Sequence, residues 1–317
     1  MDVGLYTDSL DTFPLETALD IAADAGVTSI EIAVGGQSRA PHLRVDELLG
    51  DAGRLASFRA AFSSRGLRIA ALNCSAWPLH PRDAAFHDAI IDKTLRLASE
   101  LGVSKVVSMS GCAGDGPGAS TINWVWYPWP EDAVAFAQRA WESAIAFWQG
   151  KDRLAEAYGV ERIAFELHPL HVVYNVPTLL DFRDAVGPRI GMNMDPSHLI
   201  WQQMDPVAVV RALGGATYHV HMKDTRVDPE QVAIAGVLDD RPFTDPARRA
   251  WVFRTVGRAH DAEWWGRFLD ALGEVGYDDT LSIEQEDPYA PQEQGVREAA
   301  AFTRSLISAH EARRAPR

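Results

Sequence analysis

The 317-residue sequence predicts an α/β fold, a single (β/α)8 TIM barrel over residues 1–310 with a frayed tail at 311–317. Three observations predict it. Eight short apolar segments rich in β-branched residues recur along the chain, and stretches with helical spacing separate them. No Gly-rich phosphate loop follows the first segment: Thr7-Asp-Ser-Leu-Asp-Thr-Phe13 argues against an open doubly wound sheet. Parallel neighbours need a crossover connection, so eight alternating units imply a parallel sheet.

In chain order the predicted strands are Val3–Thr7, Ser29–Val34, Arg68–Cys74, Lys105–Ser110, Arg162–His168, Ile190–Asp195, Thr217–Lys223 and Thr280–Glu286. The clearest helix begins at Leu15 and stops at Gly26. Similar boundaries, helix then glycine then strand, fall at Gly66, Gly102, Gly159, Gly187 and Gly276. Two gaps between strands are long. The one after the fourth strand contains Gly111–Trp129, with the run Trp124-Val-Trp-Tyr-Pro-Trp129; the one after the seventh contains Asp224–Asp261. Long loops that follow barrel strands lie on the C-terminal face, where barrel enzymes build their sites.

Composition narrows the function. Apolar residues make up 47% and charged residues 23%, which excludes a disordered chain. Thirty basic residues against 44 acidic leave a charge of −14, which argues against a nucleic-acid partner. Cys74 and Cys112 are too few for a disulfide framework and read as core residues in a reducing compartment. Neither a signal peptide nor an apolar run of about 18 residues is present, so a cytoplasmic protein with no membrane partner is expected.

Chemistry-bearing residues collect at the ends of the last four strands. Phe165-Glu-Leu-His-Pro169 puts Glu166 and His168 on one side of a strand, and Asp195 and His198 follow the sixth strand. His219, His221 and Lys223 share a face of the seventh strand, as Glu284 and Glu286 do of the eighth. Taken alone, each reads as a cap or a salt bridge. Together they deliver carboxylate, carboxylate, imidazole and carboxylate to one rim, a cluster that a divalent cation would stabilise. The mainly hard-oxygen set suits Mn2+ or Mg2+, and its nitrogen leaves Zn2+, Co2+ or iron open; Mn2+ is the leading expectation.

These segments resemble the xylose-isomerase-like barrels of the sugar phosphate isomerase/epimerase family. The most specific are Asp195-Pro-Ser-His198, His219-Val-His-Met-Lys-Asp224, Trp251-Val-Phe-Arg-Thr-Val-Gly257 and Leu281-Ser-Ile-Glu-Gln-Glu-Asp-Pro288. The resemblance implies Glu166, Asp195, His221 and Glu284 as metal ligands, with Glu286 the alternative to Glu284. It also implies proton removal next to a sugar carbonyl through a metal-stabilised enediolate. Glu166 and Glu284 are the implied catalytic pair, and His168 is the expected general acid or base.

His198 and Lys223 are expected to bind substrate oxygens, although a salt bridge to Asp224 is the plain alternative for Lys223. Arg254 and His260 are candidates for closing over the sugar, and the Trp124–Trp129 run, Trp126 included, for an aromatic wall against a sugar or aglycone, with Asn73 and His80 weaker candidates. The aromatic run could equally be an oligomer interface. Several readings stay open beside the isomerase or epimerase. A lyase acting on keto-sugars or 3-keto-glycosides would resemble inosose dehydratases or the large subunit of carbon-glycoside-cleaving enzymes, which pairs with a small β-rich subunit. A nuclease of the abasic-site type and a non-catalytic sugar-binding barrel are further alternatives. The expected partners are a small sugar or keto-glycoside and further copies of the chain.

Overall fold

The computed structural model describes residues 1–314. Its barrel strands are β1 (Asp2–Tyr6), β2 (Ser29–Ala33), β3 (Arg68–Asn73), β4 (Lys105–Ser108), β5 (Arg162–Glu166), β6 (Ile190–Met194), β7 (Thr217–Met222) and β10 (Thr280–Ile283). They form a closed parallel barrel in the order β1-β10-β7-β6-β5-β4-β3-β2, the (β/α)8 arrangement that the alternation predicts. Two further strands, β8 (Asp224–Val227) and β9 (Trp251–Arg254), pair antiparallel as a separate ribbon, with Asp224 opposite Arg254.

Contacts group the chain into two compact units. One comprises Met1–Glu31, Ala61–Arg68 and Met194–Arg317, of which residues to 314 are described; the other comprises Ile32–Ala60 and Ile69–Asn193. In the first, Trp265 and Phe268 are fully buried, and their rings meet edge-on at 5.6 Å. In the second, Phe165 packs edge-on against Trp148 at 4.5 Å and against Phe182 at 5.9 Å. Edge-on aromatic pairs of this kind add about 1 kcal/mol each beyond their buried area. Helix ends behave as the glycines predict: Gly102 caps the helix Ala84–Leu101 at φ 72°, a left-handed conformation that needs no Cβ.

Three expectations change. All eight strands end one to three residues earlier than the sequence pattern indicates, because a strand ends where its ladder does and apolar patterning runs on. Asp195, Lys223, Glu284, Glu286 and His168 therefore sit just past the sheet, not in it. The gap after β7 is not a bare loop, since it holds the β8–β9 ribbon and the helix Pro229–Ala235. The expected tail from residue 311 is helical as far as Arg314, within Gln292–Arg314, and Arg313 bonds Asp270 at 2.8 Å; residues 315–317 lie outside the described ones.

Candidate metal centre

Every residue of β7 is buried, so its polar side chains must find partners inside the protein. His219 and His221, two apart, face the same way. Both reach Glu31 of β2: His219 Nε2 lies 2.8 Å and His221 Nε2 2.9 Å from Glu31 Oε2. Ser282 Oγ of β10 donates to that same oxygen at 2.6 Å. Burial alone would raise the Glu31 pKa, but the two imidazoles outweigh it and hold the carboxyl well below the usual range. The other ring nitrogen of His221, Nδ1, lies 3.0 Å from Glu284 Oε2. Burial disfavours the charged ring, yet Glu31 and Glu284 together raise its pKa well above the ordinary value.

Lys223 follows β7 directly. Its Nζ lies 2.8 Å from Glu284 and 2.8 Å from Glu286, 3.3 Å from Asp195 Oδ2, and 4.5 Å over the ring of Phe253. The expected alternative, a pair with Asp224, is replaced by these three carboxylates. Asp224 instead bonds His260 Nδ1 at 2.7 Å and accepts from the backbone N–H groups of Gly257, Ala259 and His260. For Glu284, burial would raise the pKa, and the Lys223 ammonium and His221 reverse that to a strong depression.

Asp195 caps the helix Pro196–Trp201, with Oδ1 accepting from Ser197 N at 2.8 Å. A proline at the first helical position carries no N–H and fixes φ for the helix, so Asp-Pro-Ser makes a rigid entry. Asp195 Oδ2 then faces Lys223 at 3.3 Å and His198 Nε2 at 3.4 Å. His198 is buried, and that burial pushes its imidazole down to about 4, so it is neutral at pH 7.

In the other unit, Glu166 ends β5 in register with Asn193 of β6, whose Nδ2 donates to Glu166 Oε2 at 3.4 Å. His168 lies two residues past that end, and its Nδ1 bonds the carbonyl of Pro169. A carbonyl only accepts, so Nδ1 carries the proton and a neutral His168 has its lone pair on Nε2. Asn73 ends β3, where its Oδ1 accepts from Ser75 N at 2.8 Å and Ser75 Oγ at 2.9 Å. His80 pairs with Asp83 at 3.1 Å.

The remaining candidates are anchored or exposed. Arg254 Nε bonds Asp287 Oδ2 at 3.0 Å and its guanidinium lies 5.0 Å from the Tyr289 ring centre. His260 is held by Asp224 as above. Trp126 is 51% exposed and meets Tyr127 edge-on at 5.5 Å. Sequence reasoning missed Glu31, Ser282, Asn193 and Asp287. Only Glu31 carried a signal, a lone acid within the apolar strand Ser29–Ala33.

The donor set fits a cation. Three carboxylates, Asp195, Glu284 and Glu286, face one ammonium, and the imidazole of His221 abuts Glu284. This excess of buried or half-buried negative charge is what a divalent ion relieves. Buried Glu and His groups that could bind a metal are thus present among the described residues.

The fold and this chemistry define a class. Residues 19–306 match the xylose isomerase-like TIM barrel family, and the chain belongs to it. It is 40% identical over 312 residues to the "uncharacterized protein YfiH" of Bacillus subtilis (strain 168), covering 97% of this chain and all of that one. Solved structures share the fold at lower identity. The IolI protein with a bound zinc atom is 21% identical, with a TM-score of 0.67 over 98% of this chain and 99% of that one. An L-ribulose 3-epimerase is 18% identical, with a TM-score of 0.62 over 98% and 96%. The probable 3-DHS dehydratase AsbF of Bacillus anthracis is 14% identical, with a TM-score of 0.66 over 96% and 99%. At such identities these three establish the fold alone.

Proposed function

We propose that the chain is a divalent-metal-dependent sugar isomerase or epimerase that removes a proton from the carbon next to a carbonyl. The observation that carries this reading is the gathering of Asp195, Glu284 and Glu286 on Lys223, with His221 against Glu284. The proposed ligands are Glu166, Asp195, His221 and Glu284, the set that the resemblance implies, and Mn2+ is the proposed ion. A bound divalent cation would supply Lewis-acid polarisation of the substrate carbonyl.

The chain's own groups would do the rest. His168, with its Nε2 lone pair, or Glu166 takes the proton from carbon and keeps it, and Glu284, protonated beforehand from solvent, is the proposed partner that delivers its own proton to the other face. The Lys223 ammonium donates to the oxygen on which negative charge develops. Neutral His198 hydrogen-bonds a substrate hydroxyl. The reading is supported by the family and by an epimerase of the same fold.

Incubation with Mn2+ and a panel of ketoses and 3-keto-glycosides in deuterated water tests it. Deuterium should appear at the carbon next to the carbonyl, and Glu166→Gln and Asp195→Asn should each lower its entry at least a hundredfold. Full activity in both variants sinks the site. Loss of water or an aglycone assigns the lyase reading, and metal binding without exchange assigns a non-catalytic barrel.

A further inference from the structure

We infer that Glu31 is a positioning residue for the metal ligand His221: by accepting its Nε2 proton, Glu31 commits Nδ1 to the Glu284 side as the coordinating atom. This rests on the metal reading proposed above. Four barrel strands build the arrangement. Ser282 of β10 is in register with His221 of β7, and Tyr6 of β1 is in register with Glu31 of β2. Glu31 reaches the two histidines on β7, and the Tyr6 ring stacks on His221 at 5.7 Å with 16° between planes. Glu31, His219, His221 and Ser282 are all fully buried.

A carboxylate accepts and cannot donate, so each imidazole facing it must present an N–H. Metal-binding histidines commonly give their second nitrogen to such an acceptor, which fixes the tautomer and the ring's orientation. Glu31, His219 and His221 could alternatively hold an ion of their own. The bonding pattern argues against that. Glu31 Oε2 already takes both Nε2 atoms, at 2.8 and 2.9 Å, and both rings must then point N–H groups, not lone pairs, at it. Those are hydrogen-bond distances. Ser282 Oγ, which also donates to Oε2, belongs to the same network.

The test uses the full-length protein and Mn2+ or Co2+ alone, with stoichiometry and Kd from calorimetry under chelator competition, cobalt absorption bands, and melting of metal-free protein. One ion per chain is expected in the native protein. Glu31→Ala should weaken binding by about 10- to 100-fold and shift the cobalt bands. Glu31→Gln keeps the shape and one accepting oxygen, so it should recover part of the loss, with metal-free melting close to the native value. If Glu31→Ala does not fold, Glu31→Gln alone decides, by weaker binding and shifted bands. Native affinity and bands in the folded variants overturn the inference and leave the metal reading standing. Two ions per chain, one lost with Glu31, overturn it in favour of a ligand role. A native protein that binds neither metal sinks the metal reading and this inference with it.

Discussion

Cys74 and Cys112 show how far burial sets the chemistry of single residues. Both thiols are buried. Burial pushes the Cys112 thiol up to about 11 and raises that of Cys74 as well, because a thiolate loses its hydration there. The folded protein should therefore show negligible reaction with a thiol-specific disulfide reagent at pH 8. Two equivalents should react after denaturation. Rapid labelling of either thiol in the native state would contradict this placement. The sequence already pointed to core cysteines from their count and setting. The role of Glu31 was far less visible, since its partners His219 and His221 lie 188 and 190 positions away.

At the scale of elements, the ribbon inserted after β7 is held by charge and by aromatic stacking. Trp201 and Trp251 stack at 4.7 Å with 6° between planes, and Arg249 lies 4.7 Å over Trp251. Asp239 closes the loop before β9: it takes Arg241 Nε and Nη2 at 2.7 Å each, and Ala250 N at 2.5 Å. Its hydrogen bonds from Arg241 outweigh burial and depress its pKa far below the ordinary carboxylate value. A depressed carboxylate contributes stability that is present above the unfolded pKa of about 3.9 and lost as pH falls through the lower folded value. Asp239→Asn should therefore destabilise the protein at pH 7, by about 1–2 kcal/mol. That difference should shrink steadily as pH falls below about 4. Denaturant titrations across pH 2 to 7 measure it, and a pH-independent gap would refute the linkage. The sequence indicated an insertion here without its ribbon, because Thr225, Arg226 and Val227 on one side and Val252 and Phe253 on the other are too short a pattern to distinguish from a loop.

For the whole molecule, metal binding should be a stability event. An ion that binds only the folded state at about 100 times its Kd adds about 2.7 kcal/mol, several degrees in melting temperature for a chain of this size. Mn2+ should raise the melting temperature reversibly, a chelator should cancel the rise, and Asp195→Asn or Glu284→Gln should abolish it. An unchanged melting curve at millimolar Mn2+ would count against the centre. None of the described helices is long and apolar enough to cross a membrane.

By itself, the sequence determined the barrel and the last-strand ends that carry its chemistry. Alternating short β-branched segments and amphipathic stretches admit few architectures, and residues two apart in an extended chain share a face whatever the register. Only the tertiary structure decided which of those residues meet. It put Glu284, and not Glu286, against His221; it gave Lys223 to Asp195, Glu284 and Glu286 instead of Asp224; and it brought Glu31 from β2 to β7. The physical reason is that spacing along one strand is a local property. Pairing across a closed sheet depends on the register of strands far apart in the chain, and on which charged groups burial forces to find partners.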